Sequence, residues 1–162
     1  MQGLEESVSR VATGDQDQYL TFKLGEEEFG IEILRVQEIK GWTSPTPIPN
    51  APPWFKGVMN LRGTVVPVVD LRALFAMPSV ECTRFTVVIV VNVGTRVAGL
   101  VVDAVSDVLD VPARDVVPAT DMGRAVDTRY LTGIAKSNER LVSLLAMDHV
   151  LGSQEFDEAL AA

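Results

Sequence analysis

The side chains that most often perform chemistry are few in this sequence and lie far apart. The single histidine, His149, follows an apolar stretch, where a half-packed surface histidine is the usual role. The single cysteine, Cys82, follows Glu81 in a connecting segment, where an unreactive thiol is the more common role. A nucleophile needs a base within hydrogen-bonding reach, and this spacing does not indicate such a pair.

The sequence also lacks the ligand patterns of metal and phosphate sites. Carboxylates concentrate in one segment, at Asp103, Asp107, Asp110 and Asp115. Their spacing lacks the ligand order and central glycine of a calcium loop, and no cysteine–histidine spacing suggests zinc. Gly94 and Gly99 flank a predicted hairpin instead of opening a helix, so no phosphate loop is indicated. We therefore predict a protein that is not an enzyme and uses neither a metal nor a cofactor.

Composition narrows the range of partners. The net charge of −8 and the pI of about 4.6 disfavour binding to nucleic acid or to anionic lipid. A single cysteine allows no intrachain disulfide, which fits a reducing compartment. The longest apolar run, residues 86–93, is far shorter than the roughly 20 residues that span a bilayer. The N-terminus shows no signal peptide, so we predict a cytoplasmic protein without membrane insertion.

The residues between these positions alternate as β-strands do. In residues 18–24 apolar and polar side chains take turns, which predicts a half-buried strand. Further strands are predicted at residues 29–33, 58–61, 64–71, 85–93, 97–102, 105–117 and 140–147. Residues 33–39 fit either a helical turn or a strand. Many short strands with close turns predict a mainly β fold built from small barrels.

Three local features qualify this pattern. Five prolines in residues 42–53 predict an irregular loop or a sheet edge, because proline lacks an N–H donor. Pro67 interrupts its strand, which favours an edge or a bulge there. Asp148 is a plausible N-cap for a helical turn over residues 148–151, and residues 153–162 could form an acidic tail or a short helix.

The chain also resembles itself at a shift of 69 positions. The shift superimposes Gly25 on Gly94, Gly30 on Gly99, Val36 on Val105 and Glu38 on Asp107. At a slightly larger shift Arg62 meets Arg140 and Asp70 meets Asp148. We interpret this as a duplicated unit of about 70 residues. Chance similarity between valine-rich strands is the alternative.

The predicted organisation follows from this duplication. After a flexible tail at residues 1–17, one domain covers residues 18–152, with approximate repeat units at 18–83 and 84–152. Strands are free to exchange between the units. Two such small units gain stability by sharing a third apolar interface, and a groove is expected where they meet.

One hairpin carries a resemblance to a known family. Residues 57–72, GVMNLRGTVVPVVDLR, closely resemble the signature hairpin of the CheW family of chemotaxis coupling proteins. The similarity continues in residues 24–31, 36–39, 97–109 and 130–133, and so covers nearly all of the chain from 18 to 151. The resemblance implies two five-stranded SH3-like β-barrels packed together, with short helices and a C-terminal helix.

The resemblance also implies a function. Family members are non-enzymatic scaffolds that couple chemoreceptors to the histidine kinase CheA. The implied partners are the cytoplasmic tip of a chemoreceptor and the regulatory domain of CheA, in a ternary complex within membrane-associated arrays. The free protein is expected to be a monomer. Rival hypotheses are a scaffold in a related CheA pathway, a small enzyme with a site on the barrel seam, and an oligonucleotide-binding barrel.

The resemblance and the repeat together suggest three sets of contact residues. The receptor-binding groove is predicted to be lined by Ile33, Val36, Val88, Val102 and Val105, with Glu38 at its rim. A second set, for receptor or kinase, is Lys56, Gly57, Asn60, Arg62 and Gly63. Weaker kinase candidates are Gly41, Pro45 and Ile48. The alternatives are that the valines are ordinary barrel core and that Arg62 is a solvated turn residue.

Overall fold

The structure, a computed structural model, describes residues 16–118 and 128–151. Most of the predicted N-terminal tail and the predicted C-terminal tail or helix at residues 153–162 lie outside these ranges. Within them, no helix is long and apolar enough to cross a membrane. The first strand begins at Gln16, so residues 16 and 17 are strand rather than tail.

The described chain is mainly β, as predicted, with a few short helices. Its strands are β1 (Gln16–Leu24), β2 (Glu27–Glu32), β3 (Val36–Gly41), β4 (Phe55–Leu61), β5 (Thr64–Asp70), β6 (Val87–Val93), β7 (Arg96–Val102), β8 (Ala104–Pro112), β9 (Val116–Val117), β10 (Leu131–Ser137) and β11 (Arg140–Leu145). The α-helices are α1 (Leu71–Leu74) and α2 (Met147–Leu151), and single 3-10 turns occupy Ile33–Arg35, Ala113–Asp115 and Thr128–Tyr130.

The strands form two sheets with the same internal plan. The first sheet has the order β8-β1-β2-β11-β10-β9, and the second has the order β3-β6-β7-β5-β4. Each has one parallel contact, which sets Gly30 beside Leu144 in the first sheet and Gly99 beside Val68 in the second. Each sheet also takes strands from both halves of the chain. The unit boundaries at residues 83 and 84 stay a prediction.

The hairpin registers refine the predicted repeat. The β4–β5 turn is Arg62-Gly63, and the equivalent β10–β11 turn is Asn138-Glu139. Arg140 is therefore the first residue after its turn, whereas Arg62 lies within its own. When the strands of the two hairpins are aligned, Arg62 falls on Asn138 and not on Arg140, which lies two residues later.

The expected pair of closed five-stranded barrels is not observed. Among the described residues, the first sheet has six strands and the second has five, and neither sheet pairs its two outermost strands with each other. Register shifts between Leu20 and Phe22 on β1, and between Val36 and Glu38 on β3, bend the sheets. Such bulges add twist, so each sheet curls over one face without closing.

Three apolar clusters hold the described part of the chain together. The central cluster combines side chains from both sheets, among them Phe22, Phe29, Ile89 and Leu100. The first-sheet cluster comprises Tyr19, Val111, Ala135, Val142 and Leu144, and the second-sheet cluster comprises Leu61, Val66, Val88 and Val90. Because strand side chains alternate between faces, each sheet gives one face to the central cluster and curls the other over its own cluster.

Several local predictions need correction. Pro67 lies inside β5, which is flanked by β4 and β7, so its strand is not an edge. Pairing with β7 begins only at Val68, so the missing N–H of Pro67 removes no bond to that strand. Asp148 is not an N-cap, because α2 already begins at Met147. Residues 33–39 contain both predicted alternatives, a 3-10 turn followed by β3.

The end of α1 supplies a first testable prediction. Ala76 has a φ of 58°, a left-handed conformation that costs a residue with a Cβ about 1 kcal/mol. Replacing Ala76 by glycine removes this strain and should therefore raise the free energy of unfolding by up to about 1 kcal/mol. The gain is reduced because glycine also increases the conformational entropy of the unfolded chain. A urea titration measures the change. The control Ala73→Gly, inside α1, should destabilise instead, and equal effects of both variants would contradict the prediction.

Candidate protein-interaction site

The predicted groove residues divide into core and surface. Ile33, Val88 and Val102 have at most 3% of their surface exposed, so no partner can touch them in this conformation. Ile33 and Val102 belong to the central cluster, whereas Val88 belongs to the second-sheet cluster. These three residues lie beneath the surface, which favours the alternative that they are core, and their place in the groove lining stays a prediction. Strand alternation turns Val88 and Val102 inwards, and the 3-10 turn directs Ile33 into the core.

Val36 and Val105 remain available at the surface. Both are half-buried and pack against the central cluster from the outermost strands, β3 and β8. They stand at equivalent bulges, with Val36 beside Val91 and Val105 beside Phe22. The structure therefore places them at equivalent points on the rim of the central cluster, where an apolar side chain of another protein could pack.

Leu34 joins this surface, although the sequence did not single it out. Its side chain is 63% exposed, between the buried Ile33 and the half-buried Val36. The 3-10 turn that directs Ile33 into the core directs the next residue outwards. The neighbouring Arg35 contacts Asp148 at 3.5 Å and so ties this turn to α2. The exposed Leu34 thus extends the apolar surface that begins at the half-buried Val36.

The β4–β5 turn presents Arg62 at the surface. Arg62 and Gly63 both have positive φ values, 51° and 86°, as the tight turns of hairpins require. The Gly63 N–H donates to Asn60 Oδ1 at 2.8 Å, which fixes the turn. Arg62 Nη1 donates to Glu38 Oε2 at 2.7 Å. Four predicted contact residues, Glu38, Asn60, Arg62 and Gly63, are thus brought together, and we call this group the Arg62 corner.

The Arg62 corner has unused binding capacity. The Arg62 side chain is 71% exposed, while that of Glu38 is 21% exposed. Among the residues that the structure describes, Glu38 is its only hydrogen-bond partner. The guanidinium carries five N–H donors in a planar fork, so most of them remain for a second carboxylate.

Lys56 and Gly57 do not belong to this corner. They lie at the other end of β4, roughly 17 Å along the strand from the turn. Lys56 Nζ stands 3.6 Å from Asp70 Oδ2. Gly57 is buried with a φ of 139°, and a Cβ there would come within 2.1 Å of the Thr46 carbonyl oxygen. Gly57 therefore serves backbone packing, and its role as a contact residue stays a prediction.

A surface cavity of about 540 Å³ lies at this second end of β4. Its lining residues come from the proline-rich segment, the base of the hairpin and the following linker, and include Trp42, Pro45, Lys56, Asp70, Arg72, Cys82 and Asp103. Arg72 Nε donates to Asp103 Oδ1 at 2.9 Å, and Arg72 Nη2 also contacts Asp103. The Arg72 hydrogen bond lowers the pKa of Asp103, so this pair is ionised at neutral pH and mutually satisfied.

The three weaker kinase candidates stand in different environments. Gly41 is exposed, and a Cβ on it would meet no atom within 4 Å. Pro45 lines the cavity, and Ile48 packs against the central cluster. Their role in kinase binding stays a prediction.

A second arginine makes a denser ion-pair network. Arg140 donates to Glu28 through Nε and Nη2, both at 3.0 Å, and to Asp107 through Nη1 and Nη2, both at 3.1 Å. Asp107 also accepts from the hydroxyl of Thr21, and its backbone N–H donates to that hydroxyl at 3.1 Å. These contacts lower the pKa of Asp107, with Arg140 the main cause, and raise that of Arg140, with Asp107 the main cause.

The described residues offer little for chemistry. His149 Nδ1 lies 3.0 Å from the Arg129 carbonyl oxygen, on the exposed side of α2. Cys82 is an exposed free thiol. In residues 16–118 and 128–151, no three metal-ligating side chains of the usual types stand together. The arrangement is best suited to binding other molecules through apolar side chains and ion pairs.

Comparisons with known proteins identify relatives of this chain. The model of the CheW-like domain family matches residues 18–155. The chemotaxis protein CheW of Klebsiella aerogenes is 48% identical over 138 residues, 85% of this chain and 83% of that protein. CheW of Rhizobium meliloti is 41% identical over 140 residues, 86% of this chain and 90% of that protein. The crystal structure of the scaffolding protein TtCheW from Thermoanaerobacter tengcongensis has a TM-score of 0.80 at 28% identity, covering 86% of this chain and 95% of that one.

Proposed function

The chain belongs to the CheW family of chemotaxis proteins, and from this premise we propose that it is a non-enzymatic adaptor that couples a chemoreceptor to the histidine kinase CheA. The observation that carries the proposal is the exposed Arg62 corner. An adaptor needs a fixed polar contact that other proteins can engage, and Arg62 is held by its turn and by Glu38 with most donors unused. A related protein described as a scaffold has the same fold.

The receptor is the partner proposed for the apolar rim. A receptor tip is a bundle of amphipathic helices, and such a helix binds through apolar anchors spaced along one face. On this chain, the apolar side chains against which these anchors can pack are the exposed Leu34 and the half-buried Val36 and Val105. The regulatory domain of CheA, which resembles this protein in fold, is the second proposed partner. We also propose that the two sheets correspond to two SH3-like units.

Two separate surfaces suit an adaptor. The Arg62 corner and the cavity lined by Lys56 lie at opposite ends of β4. Two partners can therefore bind without competing for the same residues. Coupling then requires that the adaptor bind two states of a partner with different free energies. We propose that the protein is a cytoplasmic monomer when free and is recruited to receptor arrays through these contacts.

Co-elution tests the proposed function directly. The purified chain is mixed with the CheA regulatory domain, with a receptor tip fragment, or with both, and is applied to a size-exclusion column. A binary complex with each partner and a larger ternary complex are expected. Failure of the chain to elute with either partner would refute the proposal.

Removing the Arg62 side chain gives a sharper prediction. Arg62→Ala should weaken binding to a receptor tip fragment about tenfold, because a charge-assisted contact is worth roughly 1.5–3 kcal/mol when formed. The fold should survive, since Arg62 is exposed and bonds only to Glu38 among the described residues. Isothermal titration calorimetry measures the affinity, and Arg114→Ala, an exposed arginine on another turn, is the control. Wild-type affinity of Arg62→Ala would contradict the prediction.

A further inference from the structure

The two arginine–carboxylate contacts join equivalent elements of the two sheets, although the two arginines stand two positions apart in the aligned hairpins. Glu38 lies two residues after Val36 on β3, and Asp107 lies two residues after Val105 on β8. Both acids stand on the outermost strand, and each is reached by an arginine from the hairpin near the far side of its sheet. Each ion pair therefore spans the opening of a curled sheet.

The two arginines differ in how many of their N–H groups form hydrogen bonds. Arg140 binds two carboxylates through four hydrogen bonds and is 33% exposed. Arg62 makes one hydrogen bond, to Glu38, and is 71% exposed. Glu28 takes the Nε–Nη2 edge of Arg140, which is the edge of a guanidinium best shaped for a carboxylate. Within the described chain, no hydrogen bond reaches the same edge of Arg62.

Besides the two-residue displacement of the arginines, the two sheets differ at one strand position. Glu28 is the second residue of β2, and the second residue of the equivalent strand β7 is Val97. Glu28 stands beside Val142 on β11. Continuing the parallel register of β5 and β7 sets Val97 beside Val66 in the same way. Val97 is half-buried and packs against the second-sheet cluster. A valine thus stands where the other sheet supplies its second carboxylate.

We infer that a carboxylate from the partner fills, at Arg62, the place that Glu28 fills at Arg140, and that Val97 keeps this place open. The contact rests on the proposed function and specifies its chemistry: the receptor segment carries an exposed Asp or Glu that binds the Nε–Nη2 edge of Arg62. The aliphatic part of that side chain packs on Val97. The intramolecular pair of Glu28 and Arg140 is the template for the intermolecular one.

Supplying the carboxylate within the chain tests the inference. Val97→Glu should place a carboxylate against the Arg62 guanidinium, where it takes the place of the partner's carboxylate. Binding to a receptor tip fragment should therefore weaken about tenfold, as expected for the loss of a charge-assisted contact. Val97→Gln has the same length without the charge and should change affinity less than threefold. Adding Arg62→Ala to Val97→Glu should cause little further loss. Equal losses for Val97→Glu and Val97→Gln, or none for Val97→Glu, would overturn the inference.

A measurement without a partner separates this inference from the proposed function. In a crystal structure of Val97→Glu, the introduced carboxylate should lie within hydrogen-bonding distance of Arg62 Nε and Nη2. An introduced side chain that points into solvent would overturn the inference, whatever the receptor does. If the wild-type chain fails to bind the receptor fragment, the proposed function fails, and the crystal structure still decides whether position 97 can present a carboxylate to Arg62.

Discussion

Replacing Phe29 by alanine is expected to lower the free energy of unfolding by about 4 kcal/mol, the cost of a large cavity in a close-packed core. Phe29 is fully buried in the central cluster. Its ring stacks on Phe22 with a centroid distance of 5.9 Å and on Phe75 at 5.7 Å. Phe22 belongs to the first sheet and Phe75 follows the hairpin of the second, so the ring joins both sheets.

The measurement is a urea titration followed by two signals. Far-ultraviolet circular dichroism reports the strands, and tryptophan fluorescence reports the buried Trp54 together with the half-buried Trp42. Because the central cluster is shared, both signals should shift together to a lower urea midpoint. Phe85→Ala is the matched control: Phe85 is 59% exposed and makes a cation–π contact with Arg84, so its loss should cost less than about 1 kcal/mol. Similar losses for both variants would contradict the assignment of Phe29 to a shared core.

Gly57→Ala is expected to cost about 3 kcal/mol, from backbone strain and the loss of neighbouring hydrogen bonds. The φ of 139° already disfavours a side chain, and the added Cβ would stand 2.1 Å from the Thr46 carbonyl oxygen. Relief requires Thr46 to move away from β4. Such movement breaks two backbone bonds, Thr46 N–H to Val58 O at 2.8 Å and Val58 N–H to Thr46 O at 2.9 Å.

Hydrogen exchange identifies the cause of this loss. Relative to the unsubstituted protein, Gly57→Ala should accelerate exchange of the Thr46 and Val58 amide protons more than exchange of the amide protons in β6 and β7. Gly41→Ala is the control, because a Cβ there meets no atom within 4 Å and the residue is not in the left-handed region. It should change stability by less than about 0.5 kcal/mol. If the Gly57→Ala variant were less stable but its Val58 amide proton exchanged as slowly as in the unsubstituted protein, the strain would lie elsewhere.

Local features of the fold could be predicted from the sequence because they depend on nearby residues. The Arg62-Gly63 hairpin has a glycine at a position that needs positive φ, and alternation marks its strands. The proline-rich segment, predicted to be an irregular loop or a sheet edge, is irregular apart from the bridge between Thr46 and Val58. The paired glycines predicted a repeated plan. Gly30 and Gly99 do stand at matching parallel contacts, where each would crowd a neighbouring side chain if it carried a Cβ.

The functional surface was harder to predict, because alternation does not say which face is covered. Val36 and Val88 are both β-branched strand residues, yet the first lies on the rim and the second is 1% exposed. Glu28 and Arg140 lie on strands that meet only through the parallel contact, so their bond left no local signal. Leu34 was missed because its exposure depends on a turn that could have continued as a strand.

The exchange of strands between the halves has a consequence for synthesis of the protein on the ribosome. The first sheet sets β2 beside β11, so its middle cannot be completed until nearly the last described residue has emerged. The nascent β1–β2 hairpin must wait for its parallel neighbour until β11 has been synthesised. Such long-range pairing predicts slow folding and a need for protection from aggregation until β11 is available.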